Sequence, residues 1–397
     1  MNKKVLVAFS GGLDTSYAVV WLKEQGWEVH TCTVNTGGFT VTQLEEIVRR
    51  STELGAVSHV CVDAQDSFLR DYVSYLLKAG YLRNNTYPLI SSLPRQLEAM
   101  HVVTVAKQLQ AQAIAHGSTG AGNDQVRFES VFYALAPQME IIAPYRDQGL
   151  TRQAEAEYLQ KHGVSFSAVK KEYSLNTSCL GTTICGKEFN GSQGLCPGDV
   201  YPTVKPLADT PDEPESIEIQ FEQGCAVRLN GKKLDALSLF SDVSALAAQH
   251  GIGKGTHLGE TILGIKGRLG FEAPAYMTIL PALQELQKLT LTAKQLFWLQ
   301  TLGTVYGDML HEAQFFDPLV EDIKTFLDAM HQQVSGTVQV QLFKGNVIVA
   351  GATSPYSLMD AKVAVYAEGN SAWSGADARG FCKLYGMTGR IAMSREL

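Results

Sequence analysis

Residues Ser10-Gly11-Gly12-Leu13-Asp14-Thr15-Ser16 bring two glycines, three hydroxyls and a carboxylate together within seven positions. They follow the apolar run Val5–Phe9 and precede Tyr17-Ala18-Val19-Val20-Trp21-Leu22. The pattern predicts a buried strand, a sharp turn, and a helix with Thr15 or Ser16 near its first turn. Such a turn presents free backbone N–H groups, and the helix start adds partial positive charge, so the place suits a phosphate group. The Walker-A form ends in Gly-Lys-Ser/Thr, whose lysine serves the β- and γ-phosphates, and that lysine position does not exist here. A glycine turn that merely lets strand meet helix is the plainer alternative.

A second polar burst runs from His116 to Glu129, His-Gly-Ser-Thr-Gly-Ala-Gly-Asn-Asp-Gln-Val-Arg-Phe-Glu. Gly117, Gly120 and Gly122 let the backbone pass close to a ligand. A guanidinium binds carboxylates bidentately, and Asp124 can bind an ammonium, so the set suits an α-amino acid, which carries one group of each sign. It also fits a polar loop whose Asn123 or Asp124 caps a helix, and the two readings are compatible.

Elements must hold these stretches face to face. Over the first 165 residues, strand patterns (Val5–Phe9, Glu28–Val34, Val57–Val62, Ala113–His116, Met139–Ala143) alternate with helical ones (Thr15–Gln25, Val41–Leu54, Ser67–Lys78, Pro94–Leu109, Thr151–Lys161). The fold class predicted is α/β, a doubly wound parallel sheet. Ser10 and His116-Gly117 both fall at carboxyl ends of strands, where such sheets bind ligands. After about Ser165 the pattern becomes α+β. Strands are expected near Ser216–Phe221 and Cys225–Leu229, helices at Ser241–Gln249 and Thr292–Met309, and a hairpin from Thr337–Leu342 with Val347–Ala350. Thr203–Pro214, with three prolines, reads as an extended surface connection. A tail from about Tyr356 holds one or two short helices rich in Tyr, Trp and Phe, with too little core of its own. The domains expected are 1–165, 166–355 and 356–397.

Composition narrows the function. A chain of 397 residues with formal net charge −7 and no long basic run predicts no nucleic-acid surface. No apolar stretch reaches membrane-span length, and the N-terminus runs directly into a strand, so neither a membrane partner nor a signal peptide is expected. The seven cysteines are scattered without a CxxC, which suits a reducing cytoplasm. The histidines show no metal spacing, so no metal is expected from protein ligands.

The seven-residue stretch resembles the pyrophosphate loop, S-G-G-x-D-[ST]-[ST], of ATP pyrophosphatases. Taken with His116–Glu129, the chain resembles the argininosuccinate synthase family over nearly its whole length. Asn85–Leu89, Glu172–Ser174, Leu180–Thr183 and Gly264–Glu272 are supporting stretches. The resemblance implies an adenine nucleotide alpha hydrolase-like sheet, a second α+β domain, and a C-terminal oligomerisation arm of a homotetramer. It implies a ligase that condenses citrulline with aspartate through citrullyl-AMP in arginine biosynthesis, releasing AMP and pyrophosphate, with Mg²⁺ accompanying ATP. Carried over, Ala8, Phe9, Ser10, Gly11, Gly12, Leu13, Asp14, Thr15 and Ser16 hold ATP, together with Val34 and Gly117. Thr119, Asn123 and Asp124 receive aspartate. Tyr87, Ser92, Asn123, Arg127, Ser174 and Thr183 receive citrulline, with Glu260 and Phe271 as further positions. No residue is assigned as general acid or base.

Two segments depart from the family pattern, 259–271 and 184–186. Gly259-Glu260 displaces an expected carboxylate by one residue, and Phe271 stands where a tyrosine is common, losing a hydroxyl. Ile184-Cys185-Gly186 also replaces a stretch that often carries an acidic residue. Alternatives are another pyrophosphate-loop enzyme, such as a tRNA thiouridylase using Cys179 and Cys185, or a nucleotide-binding protein without turnover.

Overall fold

The computed structural model describes residues 3–164, 172–366 and 369–395. Its first half is a parallel sheet of β1 (Lys4–Ala8), β2 (Glu28–Asn35), β3 (Ser58–Asp63), β4 (Ala113–Ala115) and β5 (Glu140–Ile142), in the order β3-β2-β1-β4-β5. Successive strand residues face opposite sides, so β1 sends Val5 and Val7 into one buried cluster and Leu6 into the other. Both faces are covered, which is why β1 reads as an unbroken apolar run rather than an alternating one. Strand order reverses at β1, with β2 on one side and β4 on the other. The crevice between the ends of β1 and β4 is therefore the place where an open α/β sheet takes its ligand.

Helix α1 (Leu13–Glu24) follows β1, and α2 (Val41–Glu53) follows β2. The helix expected at Ser67–Lys78 is α-helical over Gln65–Phe68 and Ser74–Lys78 with a π turn at Leu69–Val73 between them. The wider turn keeps Phe68, Leu69, Tyr72, Val73, Leu76 and Leu77 all buried.

The second half holds two antiparallel sheets. Its strands are β6 (Tyr173–Ser178), β7 (Gly181–Gly186), β8 (Glu215–Glu222), β9 (Cys225–Leu229), β10 (Lys232–Lys233), β11 (Lys254–Glu260), β12 (Lys266–Glu272), β13 (Gly336–Phe343) and β14 (Asn346–Thr353). They form the sheets β11-β12-β7-β6 and β10-β9-β8-β13-β14. The β6–β7 and β11–β12 hairpins were not anticipated from the sequence. The first of them meets the parallel sheet directly, since the Cys179 N–H donates to the Thr36 carbonyl beyond β2 at 2.8 Å. The helix Pro274–Thr290 locks the halves together, and the buried Tyr276 hydroxyl donates to the carbonyls of Tyr81 (2.7 Å) and Leu76 (3.2 Å).

Two expectations change. The helix expected from Ser241 starts at Ala236, because Asp235 accepts the Ser238 N–H at 2.8 Å and caps it. The Thr203–Pro214 connection is not simply a surface strap. Buried Glu272 accepts the N–H groups of Thr203 and Val204, each at 3.1 Å, and pulls Val204 into the interior. The expected boundary at residues 165–166 lies outside the described residues. The tail helices Gly375–Tyr385 and Met387–Met393 bury none of their side chains on this chain.

Candidate functional site

At the end of β1 the chain turns through Gly11, whose φ of +73° lies in the left-handed region and whose missing Cβ would sit 3.0 Å from Ile47 Cγ1. Arg50 Nη1 donates to the Gly11 carbonyl at 3.1 Å. Because a trans peptide points its C=O and N–H in opposite directions, the Gly12 N–H turns away from Arg50, toward Ser10 Oγ at 3.4 Å. Gly12 occupies the N-cap of α1 and supplies no side-chain cap. The first N–H groups of α1 are thus left for another acceptor. Thr15 Oγ1 donates to the Gly12 carbonyl at 3.3 Å and lies 3.4 Å from Ser10 Oγ, which closes the turn on itself. Asp14 Oδ1 and Ser16 Oγ are buried without a hydrogen-bond partner. Ala8 and the buried Phe9 lead into this turn, and Val34 is buried near the end of the adjacent β2.

Gly117, just past β4, packs directly on the turn. A Cβ there would lie 3.1 Å from Asp14 Cβ and 3.1 Å from Thr15 Cγ2. The two polar stretches found in the sequence therefore face one crevice. His116 anchors the second of them: its Nδ1 accepts the Ser118 N–H at 3.2 Å, which makes Nε2 the donor, 3.1 Å from Glu129 Oε1. That bond, with Arg146 on the same carboxylate, holds Glu129 below its usual carboxylate range. Thr119 is exposed on the loop, and Gln125 Nε2 donates to the Gly120 carbonyl at 2.6 Å.

Asn123 occupies the N-cap of the helix Asp124–Leu135, yet its side chain does not cap it. Its Oδ1 accepts the Ile262 N–H at 2.9 Å instead, tying the loop to the β11–β12 turn. A second helix N-terminus is thereby left without a side-chain cap. Asp124, in the first turn of that helix, bridges two cations. Arg95 Nε donates to it at 3.1 Å and Arg127 Nη1 at 3.3 Å. Burial alone would raise the Asp124 carboxyl, but the two guanidinium groups outweigh it and hold the group below its ordinary value.

Across the crevice, Tyr87 is buried with its hydroxyl 2.9 Å from Thr183 Oγ1 and 3.1 Å from Ser91 Oγ. Its ring stacks on His257 at 5.2 Å and meets Phe271 edge-on at 5.6 Å. Ser92 Oγ lies 3.3 Å from Nδ1 of the buried His311, whose carbonyl accepts Arg127 Nη2 at 3.4 Å. Burial, with Arg127 and Arg83 nearby, lowers His311 to about 3, so the ring is neutral. Arg127 Nε is buried and unpartnered. Buried orphaned groups of this kind are uncommon and call for an occupant.

The structure thus brings Tyr87, Ser92, Arg127, Thr183 and Phe271 into one cluster, with Asn123 and Asp124 at its edge. Ser174 is exposed on edge strand β6, on the same strand face as Asn176, which accepts Arg95 Nη2 at 3.0 Å. Glu260 is not drawn in: its exposed carboxylate pairs with Lys266 at 2.6 Å across the β11–β12 hairpin. Sequence reasoning missed Arg95 and His311. The one local partner of Arg95 is Glu98, an i,i+3 ion pair at 2.7 Å of a kind common on helices, whereas Asp124 and Asn176, which draw it into the site, lie 29 and 81 residues away.

Cys179 and Cys185 sit at opposite ends of the β6–β7 hairpin, about 15–20 Å of extended chain apart. Burial pushes Cys179 up to about 12 and raises Cys185 as well, which leaves both as protonated thiols, ill-suited to sulfur transfer. Among the described residues no three His, Cys, Asp or Glu side chains cluster to hold a metal, and no helix is long and apolar enough to cross a membrane.

Known proteins match this arrangement over the whole chain. Residues 4–165 match the arginosuccinate synthase N-terminal HUP domain, and residues 173–392 match the arginosuccinate synthase C-terminal domain. The chain belongs to the argininosuccinate synthase family. It is 39% identical to the argininosuccinate synthase of Lactiplantibacillus plantarum, a match covering 98% of this chain and 94% of that protein. Argininosuccinate synthases of Dehalococcoides mccartyi (38%; 98% and 96% covered) and Staphylococcus aureus (36%; 98% and 97%) are similar to it over the same extent. Phe271, where the resemblance led to the expectation of a tyrosine, is 2% exposed and packs edge-on against Tyr87.

Proposed function

We propose that the protein is an ATP-dependent ligase that joins citrulline to aspartate and releases AMP and pyrophosphate. The observation that carries this reading is the convergence of two uncapped helix N-termini with the Arg95–Asp124–Arg127 network in one crevice. ATP lies along Ala8–Ser16, with Val34 and Gly117 beside it. The open N–H groups of α1 take the charge that develops on the departing pyrophosphate, and Mg²⁺ arrives with the nucleotide. Citrulline fills the Tyr87, Ser92, Arg127 and Thr183 cluster, where an anionic or ureido oxygen satisfies the orphaned Arg127 Nε. Thr119, Asn123 and Asp124 receive aspartate, with Ser174 and Glu260 at the periphery.

In the first step the ureido oxygen of citrulline attacks the α-phosphorus, forming a C–O–P linkage as the bond to pyrophosphate breaks. In the second the aspartate amine attacks the ureido carbon, and AMP leaves with that oxygen. The chain's contribution is orientation and fixed charge, since three reactants must meet in one geometry. A decisive test uses citrulline labelled with ¹⁸O in the ureido group. The label should appear in the phosphate of AMP, and unlabelled AMP would refute the adenylated intermediate.

The reading also covers organisation. Residues 1–165 bind the nucleotide, 166–355 complete the site, and 356–397 form an arm that packs on neighbouring subunits of a cytoplasmic homotetramer. Trp373, Phe381 and Tyr385 are exposed by 49%, 65% and 80%, a concentration of apolar surface that calls for a partner. Removing residues beyond Tyr356 should lower the mass measured by light scattering, and an unchanged mass would refute the arm.

A further inference from the structure

We propose that Glu155 is a positioning residue for the nucleotide loop: its carboxyl shares one proton with Asp14 and so fixes the Asp14 side chain at the start of α1. The inference rests on reading Ser10–Ser16 as the ATP site.

Glu155 lies on the helix Arg152–Lys161 and is fully buried, with both carboxyl oxygens out of solvent. Neither oxygen has an ordinary donor, and neither does Asp14 Oδ1. The two carboxyl groups are nonetheless within hydrogen-bonding reach of each other. Two ionised carboxylates only accept, so they cannot satisfy one another, and burying both charges together is costly. A single proton resolves this: the O–H of one group donates to the other, and the pair carries one charge rather than two.

The surroundings support that state. Facing Glu155 are Asp14 and Tyr17 from α1, Tyr145 from the helix Pro144–Gln148, and Arg152 from its own helix. Tyr17 already donates to Gln148 Oε1 at 3.0 Å, and Arg152 is exposed. Burial first, and the Asp14 charge second, push Glu155 up to about 8, against a smaller opposing pull from Arg152.

Asp14 is thus held from two sides. Its Cβ packs beside Gly117, where an added Cβ would come within 3.1 Å, and the shared proton fixes its carboxyl. Removing one negative charge beside a polyanion also favours nucleotide binding. A bound triphosphate in turn favours the protonated pair, so binding near pH 8 draws in a proton.

The test is calorimetry of MgATP binding at pH 8 in two buffers of different ionisation enthalpy. Wild type should take up a fraction of a proton, and its Kd should rise above pH 8 by up to about tenfold per pH unit. E155Q keeps a donor for Asp14, so it should bind within about threefold of wild type with no proton uptake. E155L removes the donor and should bind at least about tenfold more weakly. Wild-type binding without proton exchange, or E155Q with the wild-type uptake, would overturn the role of Glu155. Wild type that fails to bind MgATP at any pH would instead overturn the reading of the loop itself.

Discussion

On the side of the crevice proposed for the nucleotide, Ser10–Ser16 and Gly117 offer main-chain groups, small side chains and the start of α1. On the side proposed for the amino acids, Arg95, Asp124, Arg127 and His311 are large polar groups drawn from three helices, with Asn176 added from β6. The first side fits its ligand by shape, because a backbone turn tolerates no added atoms. The second fits by charge balance, where losing one partner strands others in a buried place. The two sides should therefore fail in different ways.

Gly117→Val is expected to cause the largest loss. Its Cβ would sit 3.1 Å from both Asp14 Cβ and Thr15 Cγ2, so these must give by a few tenths of an ångström, and the two γ-carbons of valine add to that displacement of the loop. A displacement on the order of 1 Å costs about a hundredfold in rate. The effect should appear in kcat/KM for ATP, and a variant with ordinary ATP kinetics would show that the loop does not depend on this contact.

Asp124→Ala should be milder and selective. It removes one charge-assisted hydrogen bond to the aspartate ammonium, about 1.5–3 kcal/mol, which corresponds to about ten- to a hundredfold in KM for aspartate. MgATP binding measured without amino acids should change little. Equal damage to both would erase the distinction between the sides.

The smallest effect is a difference in pH dependence. His311 stays neutral in the fold to about pH 3, whereas in the unfolded chain it takes a proton near 6.5. The unfolded state binds more protons in that window, so stability is lost as pH falls below about 6.5. Glu155 acts oppositely. Its folded carboxyl stays protonated up to about 8, while in the unfolded chain a glutamate ionises near its ordinary value of about 4.3, so stability is lost as pH rises through that range. Melting temperature against pH should lose part of its acid decline in His311→Gln and part of its alkaline decline in E155Q. Unchanged curves in both variants would contradict these assignments.

How much was legible in the sequence follows the same division. The nucleotide loop could be read because its parts are consecutive and its flanking strand and helix are strongly patterned. The β11–β12 hairpin was hidden by its glycines, which usually mark loops. Here they make room for rings laid across the strands. A Cβ on Gly255 would strike Phe271 at 2.9 Å, and one on Gly270 would strike Phe189 at 2.4 Å. Asn123 reads as a helix cap, but its side chain reaches Ile262, 139 residues on, which no local pattern encodes. Glu155 looks like one more acidic residue on a charged helix until the fold seals it beneath Asp14.

The most direct test of the account is to follow the nucleotide by ³¹P NMR with citrulline and aspartate supplied singly and together. A crevice with an open pyrophosphate cradle, no Walker lysine and an amino-acid cluster beside it should give sustained turnover only with both amino acids, yielding AMP and pyrophosphate. Formation of ADP and orthophosphate, or turnover indifferent to the amino acids, would contradict it.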